Sequence, residues 1–137
     1  MCEICQGMSI QESLRRDDEQ IARSGWMVTH VESEDPAGRL SYSMGLTAVR
    51  HPELVMLGSA PRLAQFVLGT AASQVVGGHR RFEVGEPWVL AGERYRVANG
   101  RPRAHLLLGA RRRYGKGITV LEFIADTPWW GRARGAG

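Results

Sequence analysis

The sequence predicts an α+β fold: a single domain with a mostly antiparallel sheet covered by two main helices. Three observations lead there. The 137 residues fit one domain of ordinary size. Two long segments carry helical periodicity between start and stop signals, and several short β-rich runs are separated by glycine and proline turns. With 43% hydrophobic residues, the chain can bury roughly two-thirds of its unfolded surface without disulfide stapling, which excludes disorder as a class.

The first helix is expected to begin at Ser9, because Ser9-Ile10-Gln11-Glu12 has the form of a capping box. Ile10, Leu14, Ile21 and Ala22 recur near helical spacing, and Gly25 supplies the stop. Residues 26–31 and 40–46 are rich in β-formers and flank an Asp35-Pro36-Ala37-Gly38 turn, which reads as a hairpin. Residues 54–58 form a short continuous apolar run, the mark of a strand buried on both faces and therefore central. Pro61 suits the first turn of a second helix, whose stripe of Leu63, Phe66, Val67, Ala71 and Val75 ends at Gly77-Gly78. Beyond it, residues 82–84, 88–90, 95–97 and 118–123 read as strands. Residues 104–114 suit a short helix with Leu106, Leu107 and Ala110 inward and three arginines outward, or else a strand and a basic loop. Residues 9–130 thus form the domain, residues 1–8 an amino-terminal segment with two cysteines, and residues 131–137 a Gly/Arg tail expected to be mobile.

No apolar stretch approaches the roughly 18 to 20 residues of a membrane helix, so no membrane association is expected. The opening residues are mixed and mildly acidic, unlike a secretory signal, which leads us to expect a cytoplasmic protein. Charge is divided along the chain. Residues 1–60 carry five arginines against nine acids, a balance of −4, whereas residues 61–137 carry 13 basic side chains against five acids, a balance of +8. Seventeen of the 18 basic residues are arginine, a bias that GC-rich coding produces without any selection for phosphate binding. The clustering of Arg101, Arg103, Arg111, Arg112, Arg113 and Lys116 is what argues for an anionic partner: RNA, a ribosome or an acidic protein.

Cys2-x-x-Cys5 is the sharpest chemical motif. Two thiols at this spacing can serve as two ligands of a tetrahedral zinc or as a redox pair, or be an inert coincidence. A closed zinc site needs more ligands, to be drawn from His30, His51, His79, His105, a carboxylate or a second chain. His51 before Pro52 most simply caps a turn, and His79 and His105 look incidental. A Gly-x-Ser-x-Gly elbow, a phosphate-binding loop and a dinucleotide glycine fingerprint are all absent, so no nucleotide cofactor is expected. Trp26 and Trp88 read as core, while the adjacent Trp129 and Trp130 cannot both point inward on an extended segment.

Gly25-Trp26-Met27-Val28, residues 40–47 and the run His51-Pro52-Glu53-Leu54 into residues 55–58 resemble the domain of unknown function 4262 family. Ser43 stands where the family's strand has threonine, and Asp126-x-Pro128-Trp129 resembles its closing pattern without the usual glycine. Actinobacterial members also open with Met-Cys-x-x-Cys. A narrower likeness, to mycobacterial ribosome-hibernation recruitment factors, rests on chain size, the cysteine pair and the basic second half, and implies a role in zinc-dependent ribosome hibernation. The leading reading is a non-enzymatic regulator whose Cys2 and Cys5 sense zinc or redox state and whose basic face binds RNA, a ribosome or an acidic protein. The alternative is an enzyme or small-ligand binder with Tyr42, His51 and Glu53 around a pocket, His51 or Glu53 moving the proton.

Overall fold

The computed structural model describes residues 9–126, so Cys2, Cys5, Trp129, Trp130 and the 131–137 tail lie outside the described residues. Helix α1 (Ile10–Ser24) starts as the capping box requires. Ser9 is the N-cap, its Oγ accepting from Glu12 N at 3.1 Å, and Gly25 ends the helix in the left-handed region at φ 83°. Strands β1 (Met27–Val31) and β2 (Leu40–Met44) pair antiparallel, with Thr29 opposite Tyr42 and His30 opposite Ser41. The connection tightens into a 3-10 turn at Pro36–Gly38, capped by the Asp35 carboxylate. Strand β3 (Glu53–Leu57) follows, then α2 (Pro61–Val76), β4 (Pro87–Leu90), β5 (Glu93–Asn99), a 3-10 segment Arg101–Leu106, α3 (Leu108–Tyr114) and β6 (Val120–Ala125).

The six strands form one sheet in the order β1-β2-β3-β6-β5-β4, antiparallel everywhere except the parallel junction of β3 and β6. Two three-stranded meanders therefore meet at β3 and β6. That central position explains why the apolar run at residues 54–57 shows no alternation: Leu54, Val55 and Met56 are all buried. One sheet face packs on α2 in a core of Leu46, Leu54, Met56, Leu68, Phe82, Trp88, Val97 and Phe123. The other carries a smaller core of Tyr42, Met44, Val55, Leu107, Ala110 and Val120, with Ile21 of α1 packed against it. The sheet is thus sandwiched, α2 on one side and α1 with α3 on the other.

The structure corrects three expectations. The buried stripe of α2 is Ala64, Val67, Leu68, Ala71, Ala72 and Val75, while Leu63 and Phe66 are 45% and 49% exposed. Three alanines let the helix lie close to the sheet, which turns the larger Leu63 and Phe66 out to the rim. Residues 82–84 are not a strand. Glu86 Oε1 accepts from Glu83 N at 2.6 Å and Gly85 turns at φ 94°, so a local turn takes the place of a ladder there. Phe82 still enters the core, edge-on to Trp88 and Phe123 with centroids 5.2 and 5.1 Å away. The 104–114 stretch divides at Leu107, whose backbone (φ −85°, ψ 67°) breaks the helix so that its side chain is fully buried. Leu107 and Ala110 point inward as expected, but Leu106 is 37% exposed.

Candidate functional site

The basic cluster is resolved by α3 into separate groups. Successive residues of a helix diverge by about 100°, so three adjacent arginines cannot share a face. Arg111 turns toward the 3-10 segment, its Nη1 donating to His105 O at 3.2 Å. It lines a cleft of 620 Å³ together with Arg101, His105, Lys116 and residues 117–119. Arg112 and Arg113 turn instead toward α1, where Arg113 is ion-paired with Asp18. Arg103 is held at 3.5 Å from Glu122. Of the six sequence-named cations, then, Arg101, Arg111 and Lys116 converge. Neither Arg101 nor Lys116 has an ion-pair partner among the described residues.

The cleft is positioned by the sheet. Gly100, just after β5, donates its N–H to Val120 O at 2.9 Å, and a Cβ there would meet Val120 C at 2.9 Å. Glycine lets the chain turn tightly over the start of β6 and send Arg101 and His105 back across it. His105, which spacing alone marks as incidental, is part of this wall. No periodicity could have found it, because its place depends on the fold of the 3-10 segment.

Tyr42, His51 and Glu53 are not brought to one cavity. The Tyr42 hydroxyl accepts from Gly109 N at 2.9 Å, and burial holds the phenol protonated by raising its pKa. His51 is buried with both ring nitrogens engaged: Nδ1 donates to Pro52 O at 2.8 Å and Nε2 accepts from Phe82 N at 2.9 Å. Burial lowers its pKa, consistent with the neutral ring this pattern needs. The ring therefore staples the β3 entry to the 82–86 turn.

Glu53 is fully buried. Its Oε1 accepts from Ser43 Oγ at 2.9 Å and Leu46 N at 3.3 Å, and its Oε2 from Thr47 N at 2.8 Å and Thr47 Oγ1 at 2.6 Å. Burial raises the carboxyl pKa, and the bonds from Thr47, Ser43 and Leu46 pull the other way. The carboxylate caps the short 3-10 turn Leu46–Val49, taking up N–H groups that would otherwise be buried unpaired. On the α2 side, His30 Nδ1 lies 2.7 Å from Ser41 Oγ and its Nε2 3.1 Å from Gln65 Oε1, joining β1, β2 and α2. His79 is exposed. Among the described residues no group of three or more His, Cys, Asp or Glu is placed to hold a metal ion, and the Cys2 and Cys5 thiols lie outside them.

A second depression lies between α1 and α3, floored by β1 and β2. It has a volume of 230 Å³ and is lined by Ser13, Leu14, Asp17, Thr29, Tyr42, Met44, Gly109 and Arg112. Sequence reasoning reaches Tyr42 and Arg112 but not Thr29, which only the register places beside the tyrosine.

No helix among the described residues is long and apolar enough to cross a membrane. No curated protein and no solved structure proved similar to the chain. The model of the domain of unknown function DUF4262 matches residues 20–128, which takes in the whole sheet, α2, α3 and the cleft. By that match over most of its length, the chain belongs to the DUF4262 family.

Proposed function

We propose that this chain is a non-enzymatic binding protein whose basic cleft takes the phosphate backbone of RNA, with Cys2 and Cys5 linking that binding to zinc. The observation that carries the reading is the convergence of Arg101, Arg111 and Lys116 with His105 on one 620 Å³ cleft. Arg101 and Lys116 are left without ion-pair partners among the described residues. A guanidinium can hold a phosphate through two parallel bonds, and a lysine ammonium adds a movable point charge. The cleft lining is dominated by cations and contains no Trp, Tyr or Phe, which favours contacts to the phosphate backbone that are tolerant of sequence. The zinc half rests on the spacing of the two thiols, and zinc-dependent ribosome hibernation is the setting that the resemblance suggests.

The test is a titration of a labelled single-stranded RNA of about 12 nucleotides, a length typical of such sites, at several salt concentrations. Three phosphate contacts give log K a slope against log salt of about −2. An Arg101→Ala, Lys116→Ala double variant should flatten it to about −0.7. Arg62→Ala, on the opposite side of the sheet, should leave it unchanged. Absence of wild-type binding at low salt, or an unchanged slope in the double variant, refutes the RNA reading. Capture of an acidic protein without RNA binding would transfer the cleft to a protein partner.

A further inference from the structure

The parallel pairing of β3 with β6 brings the carboxyl ends of both strands to one end of the sheet, where β5 starts and α2 begins. A pocket of 240 Å³ opens there, and its lining includes Met56, Leu63, Glu93, Tyr95, Phe123 and Ala125. Met56, Tyr95 and Phe123 belong to the core under α2, so the pocket continues that core outward. Leu63 lines it while 45% exposed, which leaves apolar surface open to water at its wall. The charged residues of the lining are Glu93 and Glu122, and no Lys, Arg or His is among them.

The described residues end beside this pocket. Asp126, directly after β6, donates its N–H to Arg94 O at 3.0 Å, and its carboxylate lies 3.3 Å from Arg94 Nε, so the chain is held next to Glu93 as it leaves the strand. Thr127-Pro128-Trp129-Trp130 comes next. Three residues past Asp126 span about 10 Å, and Ala125 is itself on the pocket wall. Phe123, Ala125 and Trp129 also share a parity, and alternation along an extended chain sends Trp129 to the α2 face and Trp130 to the other.

We propose that this pocket seats the chain's own Trp129, with the indole closing over Leu63 and Met56. The size fits: a cavity of roughly 150 Å³ binds benzene, and 240 Å³ takes the second ring. The polarity fits as well. An indole N–H only donates, and the polar lining residues Ser59, Glu93, Tyr95 and Glu122 all carry side-chain oxygens. The only charged side chains of residues 127–137 are Arg132 and Arg134, which complement a lining whose acids would repel RNA or an acidic partner. The docked ring covers apolar surface and ties the end of β6 to the first turn of α2. The pocket shares no lining residue with the basic cleft, and neither reading depends on the other.

The test uses the whole chain, isotope-labelled for nuclear magnetic resonance. Ring protons of Trp129 should give nuclear Overhauser contacts to the methyl groups of Leu63 and Met56, and Trp129→Ala should remove them. Loss of the buried indole should lower the melting temperature by about 10 °C, whereas Trp130→Ala should stay within about 2 °C of wild type. Leu63→Ala, at a half-exposed position, should lower it less. The Trp129→Ala, Leu63→Ala double variant should then fall short of the sum of the two shifts, because residues in contact couple. The proposal is overturned if Trp129 shows no contact to Leu63 or Met56, or if Trp130 makes those contacts instead. Contacts found only between differently labelled chains would give the pocket to a second copy, and additive melting shifts would show that the two side chains do not touch. Either result overturns it as well.

Discussion

Replacing Glu53 with glutamine tests how this fold holds a buried carboxylate. Glu53 receives four hydrogen bonds, two on each oxygen, and is fully buried. An amide keeps one acceptor and turns the other atom into a donor. The best placement leaves the amide oxygen on Thr47 N and Thr47 Oγ1, whose bonds are the shorter pair at 2.8 and 2.6 Å. The amide nitrogen then faces Ser43 Oγ, which can accept from it, and Leu46 N, which cannot. The Leu46 N–H is left unpaired, and the Ser43 hydroxyl, whose oxygen already accepts from Leu54 N, loses the acceptor of its own proton, so Glu53→Gln should cost at least about 1–3 kcal/mol.

The pH dependence carries a sign. Burial raises the folded-state pKa of Glu53 above its ordinary 4.5. Above 4.5 and up to the folded pKa, the folded chain then holds more protons at this site than the unfolded chain, so wild-type stability falls as pH rises. Below 4.5 the contribution of the neutral acid is fully present, and Ser43 Oγ can accept its proton. Glutamine does not titrate, so the deficit of Glu53→Gln should be largest near pH 4 and narrow toward pH 7. Urea unfolding of both proteins, followed by tryptophan fluorescence, measures that difference at each pH. A deficit that widens with pH above 4.5 would refute the reasoning, because it would mean that the four donors outweigh burial and hold the pKa down.

Gly45 takes φ 119°, and a Cβ there would run into Gly25 O and come within 2.9 Å of Trp26 Cα. Gly45→Ala should combine backbone strain of about 1–3 kcal/mol with steric overpacking of about 1–3 kcal/mol. Gly92→Ala, at φ 81° with open space around it, should lose only the strain. Thermal melts that rank the two variants equally would contradict this. If Cys2 and Cys5 bind zinc, protein purified without chelators should carry one ion per one or two chains, and a Cys2→Ser, Cys5→Ser variant should carry much less. Equal and low zinc in both would rule the site out.

Local chemistry in the sequence was enough to determine the α1 caps, the β1–β2 hairpin, the buried β3 run and the start of α2 at Pro61. Each of these depends on a residue and its near neighbours: a side-chain oxygen three residues from an amide, a proline ring, a missing Cβ. Tertiary structure alone decided which side of α2 is buried, because Leu63 and Phe66 fit a helical stripe as well as Ala64, Leu68 and Ala72 do, and only close contact with the sheet favours the alanines. It also decided the roles of the polar residues. In the sequence His51 reads most simply as a turn cap, with His51 and Glu53 as proton-transfer groups in the alternative, and only the bonds from Phe82 N, Leu46 N and Thr47 N give both residues their structural partners. The run Arg111-Arg112-Arg113 reads as one patch until helical rotation sends Arg111 to the basic cleft and Arg112 with Arg113 toward α1. Thr29 gives no signal in the sequence, since an unpaired hydroxyl is a property of everything packed around it and of nothing in the residue itself.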